Sequence, residues 1–258
     1  MGRLADKDSA VRKQRKLANA PNAADFSEAL ARGMAVLAAF DGENRRLTQA
    51  DLARKLDLSR ATVRRAVLTL EHLGYLVADG HAYELSPQIL RLAAGYLTSN
   101  VTGSVMQPVC DRICAQVQEA CSVAVLDGAD AVVIARAVPN RLIQVGSGIG
   151  YRTPAAISSL GKVLLAHLPP QEQASALGAI GAEAASLDGI ERDGYCYVAN
   201  DVEPGAHSIA VPLRRWDGRV VAALHVGCSI ERISPEAMHD EVLTLLREAA
   251  GELHNQLI

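Results

Sequence analysis

Residues 47–85 read LTQADLARKLDLSRATVRRAVLTLEHLGYLVADGHAYEL, and this stretch decides the fold of the first third of the chain. Thr48 precedes a short helical pattern with Leu52, Ala53 and Leu56 on one face. A break at Asp57-Leu58 follows, and Ser59 opens a second helix. Two short helices separated by three or four residues make a helix-turn-helix. In the second helix Val63, Ala66, Val67, Leu70 and Leu73 fall on one stripe. Ala61, Arg65 and His72 fall near the opposite side, with Arg64 and Thr62 on the flanks. Small residues allow close approach to a groove, and arginine can bond guanine in bidentate fashion. Gly74 ends the helix. Two short runs around Asp79-Gly80 then predict a β-hairpin with His81 at its tip. Helix-turn-helix followed by hairpin is a winged helix.

Upstream, Ser27 to Phe40 predicts another helix, with Leu30, Met34, Leu37 and Ala38 as its apolar stripe and Asp41-Gly42 as its stop. Residues 1–25 hold the basic cluster Arg12, Lys13, Arg15 and Lys16 without periodicity, and are read as a flexible arm. Downstream, a linker helix is expected over 88–100 and a second helix over Val105–Ala120. Short β-branched runs follow at Ser122–Leu126, Ala131–Ala137, Leu142–Val145 and Val198–Val202, with a hairpin over Ser208–Gly227 around Trp216-Asp217-Gly218. Ser158–His167 and Ile233–Leu257 read as helices. The organisation is therefore an arm (1–25), a winged helix (26–87), a linker helix (88–100) and an α+β domain (101–258) with helices against an antiparallel sheet.

The whole chain has 258 residues, of which 49% are apolar and 21% charged, enough for a sizeable core. The formal net charge of −3 conceals an asymmetry: residues 1–86 carry 14 basic and 11 acidic side chains, and the remainder 12 and 18. A basic first third and an acidic rest point to two modules with different partners. No apolar run approaches the ~18 residues of a membrane span, and the N-terminus lacks an apolar signal core. Five cysteines are an odd, scattered set that suits a reducing cytosol. Aromatic residues are too scarce for single-strand stacking platforms.

Other motifs carry less. Gly146-Ser147-Gly148-Ile149-Gly150 is not G-x-G-x-x-G. Gly161-Lys162 lacks the rest of a phosphate loop, since Ala156 and Val163 occupy its fixed positions. Ser159-Leu160-Gly161-Lys162 matches S-x-x-K and defines the rival reading, a serine acyl-transfer enzyme using Ser159 and Lys162, but its companion motifs are missing. A third reading is a constitutive DNA-binding oligomer without an effector. Cys110 and Cys114, one helical turn apart, read as buried small hydrophobes, and no metal or cofactor is expected.

Four segments in this order resemble the isocitrate lyase regulator (IclR) type of bacterial transcription factor. They are LARGMAVLAAFDG (30–42), LTQADLARKLDLSRATVRRAVLTLEHLGYL (47–76), SLGKVLLAHLP (159–169) and GAHSIAVPLRRWDGRVVAALHV (205–226). Within the family the chain is most similar to the regulators of protocatechuate, β-ketoadipate and 4-hydroxybenzoate catabolism. The resemblance implies a GAF-like C-terminal effector domain and a dimer or dimer of dimers on double-stranded operator DNA. It also implies a cytoplasmic protein, nucleoid-associated when bound to its operator, and a small aromatic or keto acid as effector. It places Thr48, Gln49, Ser59, Arg60, Ala61, Thr62, Arg64, Arg65 and His81 at DNA. It places Ser158, Ser159, Gly161, Asp201, Ser208, His225 and Gly227 around the effector. Ala199, His207, His225 and Gly227 depart from the subgroup pattern, so the pocket is expected to differ from its relatives'.

Overall fold

Ser27, in extended conformation, accepts the Leu30 N–H and starts helix α1 (Glu28–Leu37). The computed structural model describes residues 26–42, 44–99, 101–140, 148–180, 186–254 and 256–257. The basic cluster at Arg12–Lys16, the Leu142–Val145 run and Gly146-Ser147 of the glycine-rich segment lie outside them. After a two-residue strand β1 (Leu47–Thr48), Thr48 and Asp51 form a reciprocal capping box at the start of α2 (Gln49–Leu56). Asp57 adopts a left-handed conformation (φ 54°) and turns the chain. Ser59 then caps α3 (Arg60–His72). Strands β2 (Leu76–Asp79) and β3 (Ala82–Leu85) form the wing, and β1 joins them in the order β1-β3-β2. The hairpin loop is Gly80-His81, one residue on from the expected Asp79-Gly80, because Asp79 still pairs with Ala82. Gly80 has φ +63°, the left-handed geometry that a tight hairpin needs at this position.

Val36, Leu37, Phe40, Leu47, Leu52, Val63, Val67, Leu70 and Leu76 are the main core of this unit. The expected apolar stripes are corrected at their edges. Leu30 (65% exposed), Met34 (53%) and Leu73 (52%) are not in that core. Helix α1 is turned so that Val36, Leu37 and Phe40 face inward, which leaves Leu30 and Met34 along a groove between α1 and α3.

The chain divides into two units between Gly95 and Tyr96, inside helix α4 (Leu90–Ser99), which follows a 3-10 turn at Pro87–Ile89. In the second unit α5 spans Val101–Val117, starting earlier than expected and ending earlier too, where Gln118 takes a left-handed conformation (φ 54°) and stops it. The sheet has six strands: β4 (Ala120–Asp127), β5 (Asp130–Ala137), β6 (Arg152–Pro154), β7 (Cys196–Ala199), β8 (Ala206–Arg214) and β9 (Val220–Ser229). Their order is β6-β5-β4-β9-β8-β7, and every paired neighbour is antiparallel. β7 starts and ends earlier than the Val198–Val202 reading, because Asn200 (φ 64°) turns the chain.

Helices α6 (Ser159–Ala166), α7 (Pro170–Ile180) and α8 (Ile190–Asp193) lie between β6 and β7 in sequence. The chain ends with α9 (Pro235–Ala237), a π turn at Met238–Val242 and α10 (Leu243–His254). One core holds α5 and α10 against the sheet through residues such as Met106, Ile113, Leu224 and Leu246. The other holds α6 through Leu160, Val163, Ala124, Ala210 and Ala223. The sheet is therefore sandwiched between helices. Cys110 and Cys114 sit in the first core as small buried side chains. β1, β6, α7 and α8 were not anticipated; the two strands are too short to display alternation.

Candidate DNA-binding surface and effector cavity

Helix α3 meets solvent with its N-terminal half. Arg60, Ala61, Arg64 and Arg65 are exposed, and Thr62 is half-buried. Val63, Val67 and Leu70 hold the opposite face in the core, so the helix axis is fixed while the arginines stay free to reach. Two expected contact residues have structural duties as well. The Thr48 hydroxyl donates to Asp51 Oδ2 (2.7 Å) and accepts the Asp51 N–H (3.1 Å). Ser59 Oγ accepts the Thr62 N–H (3.2 Å) and pairs with Thr62 Oγ1 (2.8 Å). The Gln49 side-chain amide donates to Tyr83 OH on the wing (3.2 Å), tying α2 to the hairpin. His81 is exposed at the hairpin tip. Arg65 is displaced from the expected centre of the outward face: it lines the groove beside α1 together with Thr62, Ala66 and Thr69.

The second unit holds a cavity of about 130 Å³ whose walls include Arg136, Tyr151, Thr153, Ser158, Ser159, Ser208 and His225. Strand register builds its floor. Arg136 on β5 is opposite Ser122 on β4, and Ser122 is opposite His225 on β9. Opposite residues share a sheet face, so the guanidinium, hydroxyl and imidazole stand in one row. Gln107 of α5 clamps the Arg136 backbone, accepting its N–H (3.1 Å) and donating to its carbonyl (2.9 Å). The guanidinium donates to Ser122 Oγ (3.2 Å). Burial pushes its pKa below the ordinary arginine value, but it remains a cation at neutral pH. No carboxylate among the described residues forms an ion pair with it.

Helix α6 supplies another wall. Ser158 Oγ accepts the Gly161 N–H (3.1 Å) and donates to the Pro154 carbonyl (3.0 Å). Ser159 Oγ is 2.8 Å from Ser208 Oγ. His225 is held neutral, with its pKa lowered to about 4, first by burial and then by the nearby Arg136 charge.

The structure thus brings Ser158, Ser159, Ser208 and His225 together, with Gly227 adjoining the His225 ring. It does not put Gly161 or Asp201 on this wall. Gly161 is glycine because α6 crosses the preceding chain closely: a Cβ there would lie 2.1 Å from Ala155 Cα. Asp201 is exposed and pairs with Lys162 (3.0 Å). Lys162 is therefore drawn to Asp201 while Ser159 bonds Ser208, so the serine–lysine contact required by the S-x-x-K reading is not made. His207 is buried on β8, with its Nδ1 2.9 Å from Tyr197 OH and its Nε2 3.2 Å from Cys228 Sγ. Arg136, Tyr151 and Thr153 were missed. The available signal was an arginine inside the otherwise apolar run Ala131–Ala137. Among the described residues there is no group of three or more His, Cys, Asp or Glu side chains suited to a metal, and no helix is long and apolar enough to cross a membrane.

Comparison with known proteins agrees with this division. Residues 29–80 match the IclR helix-turn-helix domain, and residues 94–255 match the bacterial transcriptional regulator IclR C-terminal family. The chain is 36% identical to the Pca regulon regulatory protein of Pseudomonas putida, over 90% of this chain and 85% of that protein. It is 33% identical to the p-hydroxybenzoate hydroxylase transcriptional activator of Acinetobacter baylyi, over 90% and 92% of the two chains. Among solved structures it is similar to an IclR homolog complexed with 4-hydroxybenzoate from Microbacterium hydrocarbonoxydans. That match has a TM-score of 0.72 at 26% identity, covering 89% of this chain and 99% of that one.

Proposed function

This chain belongs to the IclR family of bacterial transcriptional regulators, and from that premise we propose that its C-terminal unit senses a small aromatic carboxylic acid. The observation that carries the effector class is Arg136, a half-buried cation on a cavity wall with no carboxylate partner among the described residues. A carboxylate is the group that satisfies a guanidinium in such a place. The N-terminus of α6 lines the same cavity, and its backbone dipole favours the same charge. The relatives' names and the 4-hydroxybenzoate-bound homologue support an aromatic ring as the apolar body of the ligand. The polar walls argue against the reading in which the second unit only oligomerises. The acyl-transfer reading is set aside, since the relatives are named regulators.

On DNA, α3 enters the major groove with Arg60, Ala61, Thr62, Arg64 and Arg65 near base edges and phosphates. Thr48, Gln49, Ser59 and His81 serve the backbone on either side. Half-sites are read by paired modules, and the apolar groove at Leu30, Met34 and Leu73 suits pairing with a second copy. The protein acts as a dimer or dimer of dimers on nucleoid DNA in the cytoplasm. Effector binding biases the placement of the two DNA-binding modules, and fixed half-site spacing turns that placement into affinity.

Fluorescence anisotropy on DNA from beside the gene, against scrambled competitor at several salt concentrations, tests this reading. Specific binding is expected, with a loss of at least tenfold when Arg64 and Arg65 become Ala, since each base-reading pair contributes about 1–3 kcal/mol. Adding 4-hydroxybenzoate or protocatechuate changes operator affinity or DNA bending, and Arg136→Ala abolishes that response. Equal binding to both DNAs, or a response that survives Arg136→Ala, overturns the corresponding half of the proposal.

A further inference from the structure

Helix α6 meets open space at both of its ends. Its N-terminus lines the cavity beside Arg136, whereas Ala166 and His167 at its C-terminus line a separate recess of about 450 Å³. The two linings share no residue, and the recess has the size of a small-molecule site. Its charges are sorted by wall. The helical wall brings His167, Glu172 from the first turn of α7 and Glu191 from α8. The hairpin wall, where β8 turns into β9, brings Arg214 and Arg219.

None of the two glutamates and two arginines forms an ion pair with another described residue. Their charged neighbours are matched among themselves, Arg192 with Asp193 and Arg215 with Asp217. His167 adds no cation. Its Nδ1 lies 2.8 Å from the Val163 carbonyl, which can only accept, so the ring proton sits on Nδ1. Nε2 keeps its lone pair and is buried without a hydrogen-bond partner. Burial lowers the pKa of this ring, the Arg214 charge acts in the same direction and the Glu191 charge opposes it, so both walls are within electrostatic reach of one imidazole. An anion alone would meet the arginines and be repelled by the glutamates. A cation alone would meet the reverse. Both walls are satisfied together by a molecule that carries both signs, and Leu168 and Val220 offer apolar surface to its body.

We propose that this recess is a second ligand site of the C-terminal unit and that it takes a zwitterionic α-amino acid with an apolar side chain, the carboxylate meeting Arg214 and Arg219 and the ammonium meeting Glu172 and Glu191. The site does not rest on the acid-binding reading of the other cavity, since it uses none of the same residues.

Isothermal titration of the full chain at neutral pH with L-leucine tests the site, with N-acetyl-L-leucine and L-leucinamide as analogues that keep only the carboxylate or only the ammonium. L-leucine is expected to bind about ten times more tightly than either analogue, because each analogue leaves one wall unmet. Binding also changes the fluorescence of Trp216, the sole tryptophan, which stands between Arg214 and Arg219 in the hairpin. Arg219→Gln and Glu191→Gln alter exposed side chains and leave the thermal melt in place, and each weakens L-leucine by about fivefold, the upper end for an exposed charge pair. Arg136→Ala, in the other cavity, leaves L-leucine binding unchanged. Absence of binding up to ~10 mM, far weaker than a ligand site requires, overturns the proposal. So does an analogue that binds as tightly as L-leucine, an affinity that survives both Arg219→Gln and Glu191→Gln, or an affinity lost in Arg136→Ala.

Discussion

Helix α3 starts from Ser59 and helix α6 from Ser158, and at both starts a serine Oγ accepts the N–H three residues on, from Thr62 at 3.2 Å and from Gly161 at 3.1 Å. Beyond that shared start they diverge. α3 buries Val63, Val67 and Leu70 and leaves Arg60, Arg64 and Arg65 at the surface. α6 buries seven of its eight residues. The difference lies in the side chains after the cap. A helix with one apolar stripe lies on a core, and a helix apolar nearly all round must be enclosed. The first can offer cations to an outside partner. The second can only present its N-terminus to a space inside the protein, and that space is the cavity beside Arg136. One local start thus leaves cations at the surface in one unit and opens onto an internal cavity in the other.

The sharpest way to break this comparison is to alter the third residue of each helix. Gly161→Ala puts a Cβ 2.1 Å from Ala155 Cα, where only backbone can give way. The C-terminal unit is expected to lose more than about 3 kcal/mol, beyond ordinary overpacking. Thr62→Ala keeps the capped N–H and is expected to lose less than about 1 kcal/mol. Urea denaturation of both variants checks the contrast, and equal losses would dissolve it.

Acid separates the units next. His225 has its pKa held at about 4 in the fold, against ~6.5 in an unfolded chain. Between those values the unfolded chain takes up a proton that the folded one refuses. Stability is therefore undiminished above pH ~6.5 and falls as the pH drops toward 4, by about 3 kcal/mol at most. His167 and His207, both shifted down chiefly by burial, act in the same direction. His72 and His81 of the N-terminal unit are exposed. Denaturation at pH 7.5 and pH 4.5 should show the C-terminal unit losing more, and His225→Phe should recover part of that loss. A loss unchanged by His225→Phe would assign the acid sensitivity to other groups.

The caps give the smallest effects. Ser59→Ala is expected to cost about 1 kcal/mol, the usual figure for an N-cap. Ser158→Ala removes both the cap and the bond to Pro154 O, with the Gly161 N–H buried, and is expected to cost about 2 kcal/mol. Thermal melts order the two variants, and the reverse order would mean that burial does not set the value of the cap.

The first unit was the more legible in sequence. Its caps, its break at Asp57 and its hairpin glycine are local signals, each decided within a few residues. The hairpin loop was still misread by one position, since the pairing of Asp79 with Ala82 is a matter between strands. In the second unit the strands flanking Gly128-Ala129 were readable, but Arg136 was not. Counting back evenly from the paired Asp127 and Asp130 puts Ser122 opposite Ala135. A bulge between Val123 and Ala124 shifts the register, so that Ser122 faces Arg136. One extra residue in a ladder re-aims the side chains beyond it.

By itself the sequence determined the elements whose causes are local: the helix-turn-helix and its outward arginines, the hairpins, the apolar run of α6 and the resemblance of four ordered segments to one family. Tertiary structure alone decided that Leu30, Met34 and Leu73 stay outside the core, that Gly161 lets α6 cross the Ala155 backbone, and that Arg136 and His225 stand in one row. The physical reason is range. Caps and turns are satisfied within a few residues, whereas burial, register and close approach depend on partners far along the chain.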